Sequence, residues 1–573
     1  MLVVPFLERL CAAGVSEVLG EPTTIALRAA KDPAHGDFQI NEIMALAKKR
    51  GKSPRSLAEP VAERLRREAV FADAQVAGPG FINLRLHHDF IARAVVDAVA
   101  DAKRAGVPQV PQAMRIVVDF SSPNIAKQMH VGHLRSTIIG DSLCRMLRFV
   151  GHDVLGDNHI GDWGTQFGLL IVGMRAFGDE AALQKEPIEE LERVYKLASA
   201  KAKEDETFAS EARAELAKLQ QGDADNRALW TRFVDATRQS VDVIYDRLGV
   251  KFDLWLGESA YQDQLKDVVD LLLEKDIARV DQGAVCVFFD ENTELGKNKT
   301  PFIIQKQDGA FLYSTTDIAT VLYRRDTLHA DASVYVVDQR QAQHFKQLFF
   351  VMQKLGVTME LTHVGFGTVL GRDGTPLKTR DGSVIKLADL LNEAEQRAAA
   401  HMREESPHLN EQDIAALSPV VGIGAVKYAD LCQNRLSDYR FDWEKLISFK
   451  GNAGPYLQYA HARVAAIFRK AEIEPGSLQL SSITLTEDAE LTLAKSLMRF
   501  ADVVHEAARN FQPHLVCDHL YAIARQFSAF YEACPVLKAA DNARQSRLAL
   551  CALTARQLRI GLDLLGIAAP DRM

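Results

Sequence analysis

Cysteine is scarce and scattered in this sequence. Seven cysteines are spread over 573 residues, and no two of them form a Cys-x-x-Cys pair. The odd number and wide spacing argue against a disulfide framework and against structural zinc, and they favour a reducing compartment. We therefore predict a cytoplasmic protein without a metal site of its own.

Long apolar runs are also missing. No window holds 18 consecutive apolar residues, and no basic stretch precedes the short apolar run near the first residue. The sequence therefore predicts neither a membrane span nor a secretory signal.

Positive charge is not in excess either, because 76 Asp and Glu residues outweigh 68 Lys and Arg residues. If the protein binds a polyanion such as a nucleic acid, local clusters of basic residues must provide the positive charge. Lys48, Lys49 and Arg50 form one basic run, which a solvated helix face explains equally well.

Hydrophobic residues make up 47% of the chain and charged residues 25%, which excludes a disordered or fibrous protein. The length predicts three or four domains of about 150 residues each.

Hydrophobic patterns divide the chain into three regions. Residues 1–108 mix helices at about 3–13 and 41–49 with a short strand at 81–84, which predicts a small α+β module. Residues 109–400 alternate buried strands, at 116–118, 333–337 and 363–370, with helices, and a Glu/Ala/Lys-rich stretch at about 174–246 predicts a helical insertion. Residues 401–573 have helical periodicity almost throughout. We predict a doubly wound α/β domain between an α+β module and a helical domain.

The densest group of chemically active residues lies at 121–133, between a buried strand and an amphipathic helix. Pro123 stiffens the turn, and Gly132 lets a nucleotide approach the backbone. A helix beginning near His133 would direct free N–H groups at an anion, while His130 and Lys127 could contact the same phosphate. Taken alone, two histidines near a helix start are more often caps or surface residues. The strand–turn–helix context favours a phosphate site.

This segment, Asp-Phe-Ser-Ser-Pro-Asn-Ile-Ala-Lys at 119–127 followed by His-Val-Gly-His at 130–133, resembles class I arginyl-tRNA synthetases. Further blocks that resemble the family occur in all three regions, at 156–168, 313–317, 337–341, 377–380, 441–443, 454–463 and 571–573. The resemblance implies a Rossmann-like catalytic domain with a helical insertion. It also implies an N-terminal module that contacts the outer corner of tRNA and a C-terminal helical domain that binds the anticodon.

The activity implied by the resemblance has two steps. Arginine and ATP give arginyl adenylate and pyrophosphate, and the arginyl group then moves to the 3′-terminal ribose of tRNA(Arg). We expect Mg²⁺ to enter with the nucleotide, because the sequence shows no cluster of metal ligands, and we expect a monomer. Another class I synthetase and a tRNA-binding protein without catalysis remain alternatives.

By the resemblance, His130, Gly132 and His133 bind ATP and the transition state. The family class usually carries a Lys-Met-Ser-Lys-Ser loop, but this chain has Leu-Lys-Thr-Arg-Asp at 377–381, so the second lysine is missing. Lys127 is expected to replace that lysine, and Lys378 and Arg380 are the remaining cations of the loop.

Arginine recognition needs a carboxylate that accepts a guanidinium. The resemblance assigns this role to Asp317 with Tyr313, which share a face if the segment is helical, although such a pair is more often structural. It assigns the other end of the substrate to Ser122, Asn124 and Gln341, and it also places Asp119 in the substrate pocket. The tRNA contacts that it implies are Trp443, Tyr456, Tyr459 and Met573. Without the resemblance, these aromatic residues would be taken as helix-packing residues.

Overall fold

The structure is a computed structural model that describes residues 1–573 except Lys31, 298–299, Arg372, Pro376, 378–384, Gln479 and Ser481. The chain forms two compact units. The first comprises Met1–Gln109, Phe449–Asp563 and Ala568–Met573, and the second comprises Val110–Ser448 and Leu564–Ile567.

The N-terminal part of the first unit is an α+β module, as the sequence predicts. Its antiparallel sheet has the strand order β1-β2-β4-β3. The strands are β1 (Leu27–Ala29), β2 (Phe38–Ile40), β3 (Phe71–Ala77) and β4 (Phe81–Leu86), and the helices are α1 (Val3–Leu19), α2 (Ile43–Lys49), α3 (Pro54–Arg66) and α4 (His88–Ala100).

The second unit alternates strands and helices. Its strands are β5 (Arg115–Asp119), β6 (Asp153–Asp157), β7 (Arg279–Asp281), β8 (Ala284–Val287), β9 (Phe302–Gln305), β10 (Ala332–Tyr335), β11 (Glu360–His363), β12 (Val369–Leu370) and β13 (Tyr439–Arg440). Its helices are α5 (Val131–Phe149), α6 (Thr165–Phe177), α7 (Glu180–Lys185), α8 (Pro187–Glu204), α9 (Glu206–Gln220), α10 (Ala224–Leu248), α11 (Leu265–Glu274), α12 (Tyr313–Asp326), α13 (Ala342–Lys354), α14 (Leu387–Glu405), α15 (Glu411–Leu431) and α16 (Trp443–Leu446).

A parallel four-stranded sheet with the order β11-β10-β5-β6 organises this unit. β5 is buried on both faces, because its consecutive residues Ile116, Val117 and Val118 are all buried and successive side chains of a strand point to opposite faces. The register aligns Asp157, Asp119, Tyr335 and His363 in one row across the carboxyl ends of the strands. Ligands of open α/β sheets bind at this edge.

The predicted insertion is helical, and its five helices, α6 to α10, run from Thr165 to Leu248. They share an apolar core around Phe167, Leu170 and Phe233, each of which is completely buried. The last of these helices, α10, spans 25 residues.

Three details differ from the sequence prediction. The single strand predicted at 363–370 is wrong, because β11 ends at His363 and the chain then turns so that β12 pairs with β13. The phosphate-site helix starts at Val131 rather than near His133, because His130 already caps it. In addition, the second unit continues beyond the predicted boundary at residue 400, which falls inside α14.

The C-terminal part of the first unit is helical, with α17 (Gly454–Ala471), α18 (Asp488–Asn510), α19 (Pro513–Ala533) and α20 (Asp541–Leu564). The final residues are held through their backbone carbonyls. Gln458 donates to Ala568 O at 2.8 Å, His461 to Pro570 O at 3.0 Å, and Arg469 to Asp571 O at 2.7 Å.

Among the described helices, α15 has the length and apolar composition that a membrane-crossing helix would need, and 61% of its most apolar window is buried inside the protein.

Candidate active site

A buried cluster of one arginine and two aspartates lies at the carboxyl ends of β5 and β6. The guanidinium of Arg324 donates to Asp119 Oδ2 and to Asp157 Oδ2, at 2.7 Å in each case, and Arg324 is completely buried. Burial raises the pKa of Asp157, although the positive charge of Arg324 opposes the shift. His159 completes a group of three residues that could hold a metal ion. However, the guanidinium already supplies the positive charge that Asp119 and Asp157 require.

The turn after β5 has an unusual backbone. Ser121, Ser122 and Ala126 have φ values of 73°, 48° and 61°, in the left-handed region that non-glycine residues rarely adopt. Such conformations cost about 1–3 kcal/mol each and persist only where the surroundings enforce them. Here Ser121 N donates to Ser136 Oγ at 2.9 Å, and Ser122 N donates to Asn158 Oδ1 at 3.1 Å.

This turn carries two of the predicted substrate residues, Ser122 and Asn124, and a third, Asp119, ends β5 just before it. Ser122 Oγ donates to Asp119 Oδ1 at 3.2 Å, so both Asp119 oxygens are engaged within the protein. Asn124 is exposed and lies against Gly161, where an added Cβ would stand 2.4 Å from Asn124 Oδ1. A residue larger than glycine at 161 would therefore displace the Asn124 side chain.

The two histidines of the predicted phosphate site cap the start of α5. Gly132 N donates to His130 Nδ1 at 3.0 Å, and His130 N donates to His133 Nδ1 at 3.1 Å. Since Nδ1 accepts in both rings, the proton of each neutral imidazole lies on Nε2, where it can be donated to a phosphate oxygen. Burial lowers the pKa of His133 to about 4 and also lowers that of His130. Both rings are therefore uncharged donors at neutral pH.

Lys127 is exposed at the end of the turn, with Nζ 5.8 Å from the ring centroid of Tyr195 in the insertion. Lys378 and Arg380 lie outside the described residues. The chain that follows them is tied to the histidine segment, because Val131 N donates to Ile385 O at 3.0 Å and Leu387 N donates to Met129 O at 2.9 Å.

The predicted guanidinium-binding pair lies on one face of α12, as its spacing predicts. Tyr313 begins this helix and is 60% exposed, whereas Asp317 is half-buried one turn later. His344 joins the two residues. Its Nε2 lies 2.6 Å from Asp317 Oδ2, and its ring centroid lies 4.8 Å from that of Tyr313. Burial raises the pKa of Glu258 to about 7, and the negative charge of Asp317 contributes to that shift.

Gln341, the remaining predicted arginine contact, is exposed just after β10, in a 3-10 turn that leads into α13. His344 follows on the first turn of α13. Gln341 therefore immediately precedes α13, three positions before His344.

Two predicted tRNA contacts lie on α17, and one of them, Tyr456, belongs to an aromatic group shared with α19. Tyr459 is 46% exposed, and Tyr456 meets Tyr521 edge to face at 5.7 Å. Guanidinium groups stack nearby, with Arg525 over Tyr521 at 5.9 Å and Arg463 over Tyr531 at 5.1 Å. The exposed ring of Tyr459 and the neighbouring half-buried rings with their arginines are the kinds of side chain that stack on unpaired bases.

The other two predicted tRNA contacts lie elsewhere in the fold. Trp443 belongs to the second unit, where it begins α16 and lies under the guanidinium of Arg397 at 5.0 Å. Met573 is half-buried at the end of the first unit.

Three family models match successive parts of the chain. They are described as "Arginyl tRNA synthetase N terminal domain" at residues 7–86, "tRNA synthetases class I (R), catalytic domain" at 95–443 and "DALR anticodon binding domain" at 457–573. The chain has the fold of a class I aminoacyl-tRNA synthetase, with a catalytic domain built on the parallel sheet and a helical C-terminal domain.

The arginine–tRNA ligases of Laribacter hongkongensis and Stutzerimonas stutzeri are both 46% identical to this chain, covering 98% and 100% of it and 98% and 99% of their own lengths. Among solved structures, the arginyl-tRNA synthetase of Plasmodium falciparum has a TM-score of 0.86 at 29% identity, covering 100% of this chain and 99% of its own. That of Thermus thermophilus has a TM-score of 0.82 at 25% identity and covers 100% of both chains. The chain belongs to the class I arginyl-tRNA synthetase family.

Several residues of the site were missed by sequence reasoning. His344 could have been noticed, because it follows Gln341 by three positions at the start of a helix. Glu258 and Arg324 carry no local signal. Glu258 is an isolated acidic residue, and Arg324 is one of two adjacent arginines in the last turn of a helix, where basic residues are common.

Proposed function

We propose that the carboxyl edge of the parallel sheet binds arginine and ATP side by side and joins them as arginyl adenylate. The chain is an arginine–tRNA ligase, and ATP is its substrate. The observation that carries the site assignment is the Asp317 carboxylate, held by His344 on the face of α12 that also presents Tyr313.

On the arginine side, Asp317 accepts the guanidinium and Tyr313 covers its plane. Ser122, Asn124 and Gln341 bind the amino and carboxylate end. Asp119 acts through Ser122, because its own charge is compensated by Arg324.

On the ATP side, the free N–H groups of α5 and the Nε2 protons of His130 and His133 contact the phosphates above Gly132. An arginine carboxylate oxygen attacks the α-phosphorus, its bond to phosphorus forms, and the bond to the departing pyrophosphate breaks. Because both histidines are uncharged, the positive charge that offsets the developing negative charge comes from Lys127 and, by resemblance, from Lys378 and Arg380.

Mg²⁺ is proposed to enter with ATP. Asp119 and Asp157 are paired with Arg324, so this carboxylate pair does not need a divalent ion. The nucleotide phosphates then supply the oxygen ligands that Mg²⁺ prefers.

For tRNA, we propose that Tyr456 and Tyr459 stack on anticodon bases, with Trp443 and Met573 as further contacts. Residues 1–108 contact the outer corner of tRNA, and residues 401–573 contain the anticodon-binding domain. We also propose a cytoplasmic monomer that does not associate with membranes.

An aminoacylation assay with all twenty amino acids and tRNA(Arg) tests the proposal, together with arginine-dependent pyrophosphate exchange with and without tRNA. We expect charging with arginine alone. Charging with another amino acid would favour a different class I synthetase, and tRNA binding without exchange or charging would favour a non-catalytic protein.

A further inference from the structure

One hydrogen-bonded chain links the insertion to both halves of the site. Asn158 Nδ2 donates to the hydroxyl of Tyr245 on α10 at 3.1 Å, and this hydroxyl lies 2.8 Å from Ser121 Oγ. Ser121 Oγ in turn lies 2.8 Å from Thr137 Oγ1, which donates to His133 O at 2.8 Å.

The direction of this chain is fixed by its two ends. Thr137 uses its only proton on His133 O, so it must accept from Ser121, and Ser121 must then accept from Tyr245. The Tyr245 hydroxyl therefore donates to Ser121 while it accepts from Asn158. Burial raises the pKa of Tyr245 to about 12, which keeps this proton in place.

A second side chain of α10 holds the other end of the same turn. Thr237 Oγ1 accepts from Ala126 N at 3.1 Å and donates to Phe233 O at 2.8 Å. The strained turn is therefore held at Ser121 by Tyr245 and at Ala126 by Thr237.

Water cannot easily replace these contacts, because Tyr245, Thr237, Ser121 and Thr137 are each at most 5% exposed. Both ends of the turn have left-handed backbone at non-glycine residues, and without external partners such residues relax toward negative φ. Relaxation would move Ser122 and Asn124, which lie between the two attachment points, and would disturb the Asn158 contact to Ser122.

We infer that Tyr245 and Thr237 make α10 of the insertion a positioning element for arginine activation, because they hold the substrate-binding turn in its strained conformation. This inference rests on the proposed function of the turn. It gives the insertion a role in the first step of the reaction.

The Thr237 test uses three variants on one helix. Thr237→Val keeps the shape but removes the acceptor for Ala126 N, whereas Thr237→Ser keeps the hydroxyl. Thr231→Val is the matched control, because Thr231 Oγ1 donates to Arg227 O at 2.9 Å, one turn back on the exposed face of α10. We expect kcat of arginine-dependent pyrophosphate exchange, measured with tRNA(Arg), to fall about 10- to 100-fold in Thr237→Val. Thr237→Ser and Thr231→Val should stay within about twofold of the parent.

Tyr245→Phe tests the other attachment point. The ring packs edge to face against Phe252 at 4.9 Å and Trp255 at 6.0 Å, and phenylalanine retains these contacts. We expect a similar loss of kcat, with an ATP KM within about twofold of the parent. Far-ultraviolet circular dichroism and thermal unfolding then establish that each variant is folded at the assay temperature.

The outcomes separate the two proposals. A parent protein without arginine-dependent exchange would refute the proposed function. An active parent, with folded Thr237→Val and Tyr245→Phe variants that exchange as fast as the parent, would overturn the positioning role. An equal loss in Thr231→Val would also overturn it, because the loss would then reflect the helix rather than the turn.

Discussion

Replacing Asp317 by asparagine removes the negative charge that we assign to the guanidinium while preserving the size of the side chain. Asp317 Oδ2 lies 2.6 Å from His344 Nε2, and no partner of its other oxygen lies among the described residues. The free oxygen is the one available to a guanidinium, and an asparagine NH₂ in its place would face the substrate with another donor.

The expected magnitude follows from the burial of the carboxylate. Removing one partner of a buried charge pair costs about 2–5 kcal/mol. The Asp317 side chain is still 22% exposed, so solvent screening favours the lower end, about 2–3 kcal/mol. At about 1.4 kcal/mol per factor of ten, this corresponds to a roughly 30- to 150-fold increase in the arginine KM.

The assay is arginine-dependent pyrophosphate exchange in the presence of tRNA(Arg), with arginine and ATP titrated separately. The ATP KM should stay within about twofold of the parent value, because the substitution alters the pocket for arginine and not the ATP site. Asp326→Asn is the matched control, since this aspartate ends the same helix with a side chain that is 59% exposed. An arginine KM within about threefold of the parent in a folded Asp317→Asn protein would remove Asp317 from the pocket.

Three further predictions address the phosphates, the anticodon and pH. Lys127→Ala should lower the adenylation rate about 100- to 1000-fold while ATP binding changes little, and a near-normal single-turnover rate would contradict this role. Tyr456→Ala and Tyr459→Ala should each weaken tRNA charging by about 1–3 kcal/mol, and the effect should shrink with an anticodon-mutated tRNA; an undiminished effect would exclude anticodon contact. The Glu258 pKa of about 7 means that this carboxyl is neutral below pH 7 and charged above it, so the arginine KM should fall about fivefold between pH 6 and pH 8. A pH dependence that persists in Glu258→Gln would assign it to another group.

Local patterns were enough to predict one central strand of the catalytic domain and one helix of the C-terminal region. Three consecutive β-branched residues at 116–118 identified β5, and the spacing of Leu493, Leu497, Phe500 and Val504 identified α18, where all four are buried. These signals are strong because a strand buried on both faces gives a continuous apolar run, and a helix with one buried face gives apolar residues at steps of three and four.

The contacts that shape the site could not be predicted in the same way. Arg324 and Asp119 are 205 positions apart, and nothing in either neighbourhood marks them as partners. The left-handed backbone of Ser121 is also invisible in the sequence, because serine does not favour that conformation and only tertiary hydrogen bonds impose it. The same holds for the shared compact unit of Met1–Gln109 and Phe449–Asp563, which lie far apart in the chain.

The final segment is held largely through its main chain, with one side-chain contact, the ion pair between Asp571 and Arg559. Gln458, His461 and Arg469 donate to the carbonyls of residues 568, 570 and 571, and every amino acid offers such a carbonyl. Substitutions at 568 and 570 therefore leave the acceptors in place. A single inserted or deleted residue, in contrast, shifts everything after it by about 3.3–3.6 Å along the chain and puts Met573 out of register. The segment therefore constrains chain length more strongly than it constrains residue type at 568 and 570. We expect substitutions at these two positions to be tolerated, and insertions or deletions to be harmful.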